Sequence, residues 1–167
     1  MRLVSEATEA MHRDHLRTLK LKHSVFEKSY PALVGKDISD YTLTSRLPKG
    51  EREELFALKG NILAHELYFS CFIGSPSVII IPDYRGSYSE LKYRLLCSAL
   101  CSDGFLVLFS DGGELRFYAG NAFHRLFERH KPIFALDLCE HAYFYDYGFR
   151  KEEYLKAAIS MIDFRQK

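Results

Sequence analysis

Three separated stretches carry side chains that bind metals or move protons. In the first, Asp137-Leu138-Cys139-Glu140-His141, a carboxylate and an imidazole stand four residues apart in an apolar setting. A turn there aims both at one point. They make a metal-ligand pair, an acid–base pair, or a hydrogen-bonded structural pair at a strand end. In the second, His65 lies within an apolar helical pattern beside Ala64 and one turn from Asn61. It reads as a satisfied core histidine or as a ligand. In the third, His12 and His15 share one broad face of a helix, either as a solvated edge or as further ligands. Three histidine segments and one aspartate could converge on a single ion, and periodicity alone leaves that convergence open.

The elements that must position these groups are legible. Residues 5–28 read as a helix, with Ser5 as cap, Glu6 and Glu9 in its first turns, and Lys20, Lys22 and His23 further along. Residues 29–50 are a polar connection rich in Pro, Gly, Ser and Asp. A second helix spans 51–72, with Leu55, Leu58, Ile62, His65, Phe69 and Phe72 at helical spacing, and Gly74-Ser75-Pro76 stops it. These two helices pair antiparallel in the simplest arrangement. Residues 87–100 form a third helix. The runs 105–109 and 115–118 flank Ser110-Asp111-Gly112-Gly113 as a hairpin, and 133–136 is a third strand after Pro132. Residues 152–163 close the chain as a helix. The expected class is α+β: an antiparallel helical hairpin in residues 1–75, then an α/β part in 76–167 with a small three-stranded antiparallel sheet.

Composition narrows the function. The 167 residues are 47% hydrophobic and 27% charged, enough apolar content for a core in one domain. With 23 Lys+Arg against 22 Asp+Glu, the net charge of +1 argues against nucleic acid or a membrane surface as partner. The longest apolar stretch, residues 77–82, is too short to span a bilayer, and residues 1–11 have no apolar signal core. A soluble cytoplasmic protein is expected. The four cysteines include no C-x-x-C pair, so they are read as reduced. Cys97 and Cys101, four apart, are read as core packing rather than a thiol site. Trp is absent, against 11 Tyr and 13 Phe.

The segment Asp137-Leu138-Cys139-Glu140-His141-Ala142-Tyr143-Phe144 closely resembles the D-x-W-E-H-A-Y-Y signature of iron/manganese superoxide dismutases. Pro132 through Leu136 resembles the strand before that signature, and Asp146 through Tyr154 its link into the last helix. Asp103 through Leu108 is similar to the family's S-G-W-x-W-L strand with phenylalanine for tryptophan. Asn61 through Phe69 is similar to its N-H-x-x-F-W helix segment, and Ser5 through His12 to its first histidine-bearing helix. The resemblance spans nearly the whole chain, and its specific part is the motif around Glu140-His141.

The resemblance implies one iron or manganese ion per chain held by His12, His65, Asp137 and His141, and disproportionation of superoxide. Histidines with one carboxylate suit these metals better than soft ones. Glu140 would bond a histidine ligand across the interface of a homodimer. Asn121 falls where manganese members keep a solvent-bonding glutamine, and Asn61 where iron members keep theirs. Two registers of the first helix exist, with His12 or Met11 at the ligand position, and the Ser5 and Thr8 offsets favour His12. Leu16 and Lys20 then replace a histidine and a gateway tyrosine, Phe144 replaces that histidine's tyrosine partner, and Cys139 replaces a tryptophan walling the site. With the hydrogen-bonded relay interrupted, slowed dismutation is expected, with Asn121 and Lys20 as the remaining catalytic side chains. The alternative is a non-catalytic binding or structural protein that keeps the fold.

Overall fold

The structure, a computed structural model, describes residues 2–37, 47–73, 78–81, 84–111 and 114–165. Expected features at Gly74-Ser75-Pro76, Pro82 and Gly112-Gly113, and residues 38–46 of the polar connection, lie outside the described residues.

The first helix, α1 (Glu6–Ser29), starts where the Ser5 hydroxyl accepts the Thr8 N–H at 3.2 Å. The Ser5 N–H in turn donates to Asp146 at 2.7 Å, and the Tyr147 hydroxyl donates to the Leu3 carbonyl. The start of α1 is thus anchored to the last third of the chain. The second helix, α2 (Lys49–Phe72), runs antiparallel to α1. Its late residues Tyr68 and Phe69 meet His12, Glu66 meets Lys20, and Glu54 and Leu58 share a cleft with Leu19 and Phe26.

After a short strand, β1 (Val78–Ile80), and a third helix, α3 (Tyr88–Leu100), come the sheet strands β2 (Phe105–Asp111), β3 (Glu114–Gly120) and β4 (Lys131–Asp137). They form an antiparallel sheet in the order β3-β2-β4. The fold is therefore α+β, as expected. Central β2 is buried from Phe105 through Phe109, and β4 from Phe134 through Asp137. Against this sheet α2 packs its apolar face, with the Phe72 and Phe134 rings 5.7 Å apart. Register places Phe105 opposite Asp137. The buried polar end of β4 therefore faces the helical pair.

Gly104 adopts φ +83° just before β2. A Cβ there would lie 2.6 Å from the Gly120 carbonyl oxygen and 2.2 Å from Asn121 Oδ1, so the position needs glycine on two counts.

The chain's end differs from the expectation. The last long helix, α5 (Lys151–Met161), follows the single turn α4 (Phe144–Tyr147) and stops at Ile162. A strand, β5 (Asp163–Arg165), then pairs in parallel with β1, Ile79 opposite Phe164, both buried. Ending the helix there leaves residues 163–165 free to give β1 its backbone partners. Cys97 and Cys101 also depart from the expectation: both are exposed on α3 and at its end rather than packed in the core.

Candidate metal centre

Four side chains from three segments of the chain converge. His12 comes from α1, His65 from α2, and Asp137 and His141 from the end of β4 and the turn after it. One donor atom from each lies within 4.8 Å of the others. Asp137 Oδ2 is the focus: His12 Nε2 stands 2.9 Å away, His141 Nε2 2.8 Å and His65 Nε2 3.5 Å. The other carboxylate oxygen, Oδ1, accepts the Cys139 backbone N–H at 2.9 Å, and the Asp137 carbonyl accepts the buried Tyr154 hydroxyl at 2.9 Å. The carboxylate is held from behind while Oδ2 faces the imidazoles.

The two registers of α1 are distinguishable here. The His12 side chain is fully buried in the cluster, whereas Met11 is 49% exposed. Around the cluster, Tyr68 and Phe69 pack on His12 at 4.7 and 5.0 Å, and Phe105 meets His65 edge-on at 4.9 Å. These rings wall the site in a chain without tryptophan. Cys139 is half-buried, its Sγ 3.7 Å from the Gly104 carbonyl. Burial and the Asp137 charge push its thiol up to about 12, so it stays a neutral S–H and not a thiolate ligand.

One geometric feature tests the fit to a metal. His65 Nδ1 lies 2.7 Å from the Asn61 carbonyl, which can only accept, so the proton is on Nδ1. Burial lowers the His65 pKa to about 4, outweighing the Asp137 charge and this hydrogen bond, so the ring is neutral at pH 7. Nε2 is then a bare lone pair, buried and without a hydrogen-bond partner, aimed at a carboxylate oxygen. A cation between two electron-rich atoms that face each other would satisfy both. The donor set fits iron or manganese.

The remaining charges agree. Burial alone would raise the Asp137 pKa, but hydrogen bonds and charge from His12 and His141 hold the carboxyl well below the usual range. For His141, burial works downward and the Asp137 carboxylate overrides it, raising the pKa.

Other expected residues sit further out. Asn61 bonds the Ala57 carbonyl through its side chain and reaches the cluster only through its backbone oxygen. The exposed Asn121 lies against Gly104. Lys20 forms an ion pair with Glu66 at 2.6 Å. Leu16 is buried, and Phe144 is exposed and meets Phe149 at 5.3 Å. Glu140 is exposed next to His141. Two further residues touch the donors, the second of them one of the histidines weighed in the sequence. One is the Tyr154 hydroxyl behind Asp137. The other is His15, stacked on His141 at 4.5 Å and 30°. His15 shows in the sequence as the residue three after His12, whereas no local pattern marks Tyr154.

Comparison with known proteins agrees with this geometry. Residues 80–167, more than half of the chain, match the model for the C-terminal domain of iron/manganese superoxide dismutases. The chain is 27% identical over 169 residues to a superoxide dismutase [Mn/Fe] of Porphyromonas gingivalis, covering 95% of this chain and 85% of that protein. This chain belongs to the iron/manganese superoxide dismutase family. The family uses iron or manganese, and the His12–His65–Asp137–His141 cluster can bind one such ion.

Proposed function

We propose that this chain is a superoxide dismutase in which His12, His65, Asp137 and His141 hold one iron or manganese ion, acting more slowly than its relatives. The observation that carries the reading is the bare His65 Nε2 aimed at Asp137 Oδ2 within a buried ring of donors. Bound iron or manganese supplies one-electron chemistry between trivalent and divalent states. Two superoxide anions and two protons give one dioxygen and one hydrogen peroxide.

The chain's own residues do the rest. Asp137, fixed by the Cys139 N–H and the Tyr154 hydroxyl, keeps its negative charge and orients the donor set. The Asn61 carbonyl holds the His65 tautomer. Tyr68, Phe69 and Phe105 exclude water from the inner side, so the charges act in a low dielectric. The slowness follows from proton delivery. Leu16 and Phe144 carry no exchangeable proton, and Lys20 is tied to Glu66, which reduces its pull on an anion. Asn121 would act from the Gly104 side by hydrogen-bonding solvent.

The test is metal analysis of protein produced with ample iron and manganese, paired with rapid-kinetic decay of superoxide. The expected result is about one ion per chain and decay faster than in a His141→Ala control. A loaded protein no faster than that control would leave the second reading, a non-catalytic family member, which the replaced Leu16 and Phe144 favour.

A further inference from the structure

We propose that His15 is the gate of this centre. Its ring covers the exposed side of the cluster and controls how fast a small anion reaches the ion; the inference rests on the metal-binding reading above. Burial shows where access lies. The His12, His65 and Asp137 side chains are buried, whereas the His141 side chain is 34% exposed. Among the described residues of the single chain, His141 is therefore the donor residue that solvent reaches. The ring lying on His141 is that of His15, at 4.5 Å and 30°, and the same ring stands 5.1 Å from His65.

Position on α1 explains how it gets there. His15 is three residues beyond His12, so both rings reach the same end of the cluster. Leu16 is turned into the core, and Lys20 is drawn away to Glu66. His15 is thus the residue of α1 beyond His12 that overlies two rings of the cluster. It is a positioning residue: it acts by covering His141 and bonds to none of the four donors. An offset-stacked ring resists displacement yet swings away without breaking a buried hydrogen bond.

Three proteins test this: the natural chain, His15→Ala and His15→Phe. Position 15 is exposed, so both variants should fold. The first readout uses iron(III)-loaded protein and follows azide binding in the visible charge-transfer band by stopped flow. Azide should associate about fivefold faster in His15→Ala, the size of one stacked ring contact, and near the natural rate in His15→Phe. The second readout needs no metal: ethoxycarbonylation of His141 by diethyl pyrocarbonate in the metal-free protein, located by mass spectrometry. His141 should react faster in His15→Ala, and His15→Phe should restore its protection. Unchanged azide kinetics together with unchanged His141 reactivity would overturn the gate. So would a His15→Phe protein that behaves like His15→Ala, because a covering ring should substitute for another. If the protein takes up no iron, the metal reading fails by itself, and the modification experiment still decides whether His15 shields His141.

Discussion

Asp137 Oδ2 faces three imidazoles, hydrogen-bonded to two of them, while a backbone N–H secures Oδ1, and that asymmetry makes individual side chains separable by experiment. His12→Ala should abolish retention of iron or manganese. Met11→Ala, at a position open to solvent, should leave it unchanged by elemental analysis, and the reverse outcome would assign the ligand to the other register. The metal-free protein should also respond to pH with a defined sign. His65 titrates at about 4 in the folded chain against 6.5 when free, so the unfolded chain binds the proton first as pH falls. Stability is therefore lost between those values, by about 2 kcal/mol at pH 5. His15, His23 and His124 are also lowered and act in the same direction. His141 is raised, and its contribution runs the other way: present below pH 6.5 and lost as pH rises through its folded value. Calorimetry should show a lower unfolding temperature at pH 5 than at pH 7, with a shallower slope in His65→Gln. Equal slopes in the two proteins would contradict the burial of a neutral His65. The four residues that converge were named through the family resemblance, specific only around Asp137 and His141, with His12 resting on the Ser5 and Thr8 offsets. The hydroxyl of Tyr154 was not legible in the sequence, since only tertiary packing brings α5 behind the end of β4.

The elements that position the donors follow local rules closely, and they depart from those rules where pairing is long-range. Ser5 and Glu9 mark the start of α1, the apolar spacing marks α2, and aromatic runs around a glycine turn mark β2 and β3. The β1–β5 pair escaped because its strands are three residues each and meet across half the chain, where periodicity carries no signal. Cys97 and Cys101 were misplaced for a related reason: helical spacing gives a face, and only packing decides whether that face is covered. At this scale the sensitive joint is Gly104, whose carbonyl accepts the Leu138 N–H at 2.8 Å directly beyond Asp137. Gly104→Ala should force the Gly120 backbone to move and strain a left-handed φ. A cost of about 2–3 kcal/mol is expected. Thermal melting should show a fall of roughly 5–10 °C, with weaker metal retention because Asp137 shifts with its strand. A variant that melts like the natural protein would show that the β2 entrance is more compliant than its contacts imply.

For the whole molecule, the partly exposed edge of the centre bears on assembly. Glu140 is exposed beside the part-exposed His141, and the next residues present Phe144, Tyr145 and Phe149, the last 93% exposed. An acidic group beside an imidazole, followed by uncovered aromatic rings, is a surface that a second copy can cover. Two-fold symmetry would make the contact reciprocal, each chain offering Glu140 to the other's His141. The carboxylate would then fix the outer nitrogen of His141, as the Asn61 carbonyl fixes that of His65. Light scattering at micromolar concentration should give the mass of two chains. Glu140→Ala should weaken the dimer and cost metal affinity about tenfold or more, the usual effect of losing a group that orients a ligand. Phe149→Glu should weaken the dimer by burying an unpaired charge while leaving the four donors untouched. The two variants separate assembly from coordination. If Glu140→Ala loses metal while still dimeric, the carboxylate orients His141 without holding the chains together. If the natural protein is monomeric at these concentrations, Glu140 has no partner to reach, and the exposed aromatic segment requires another explanation.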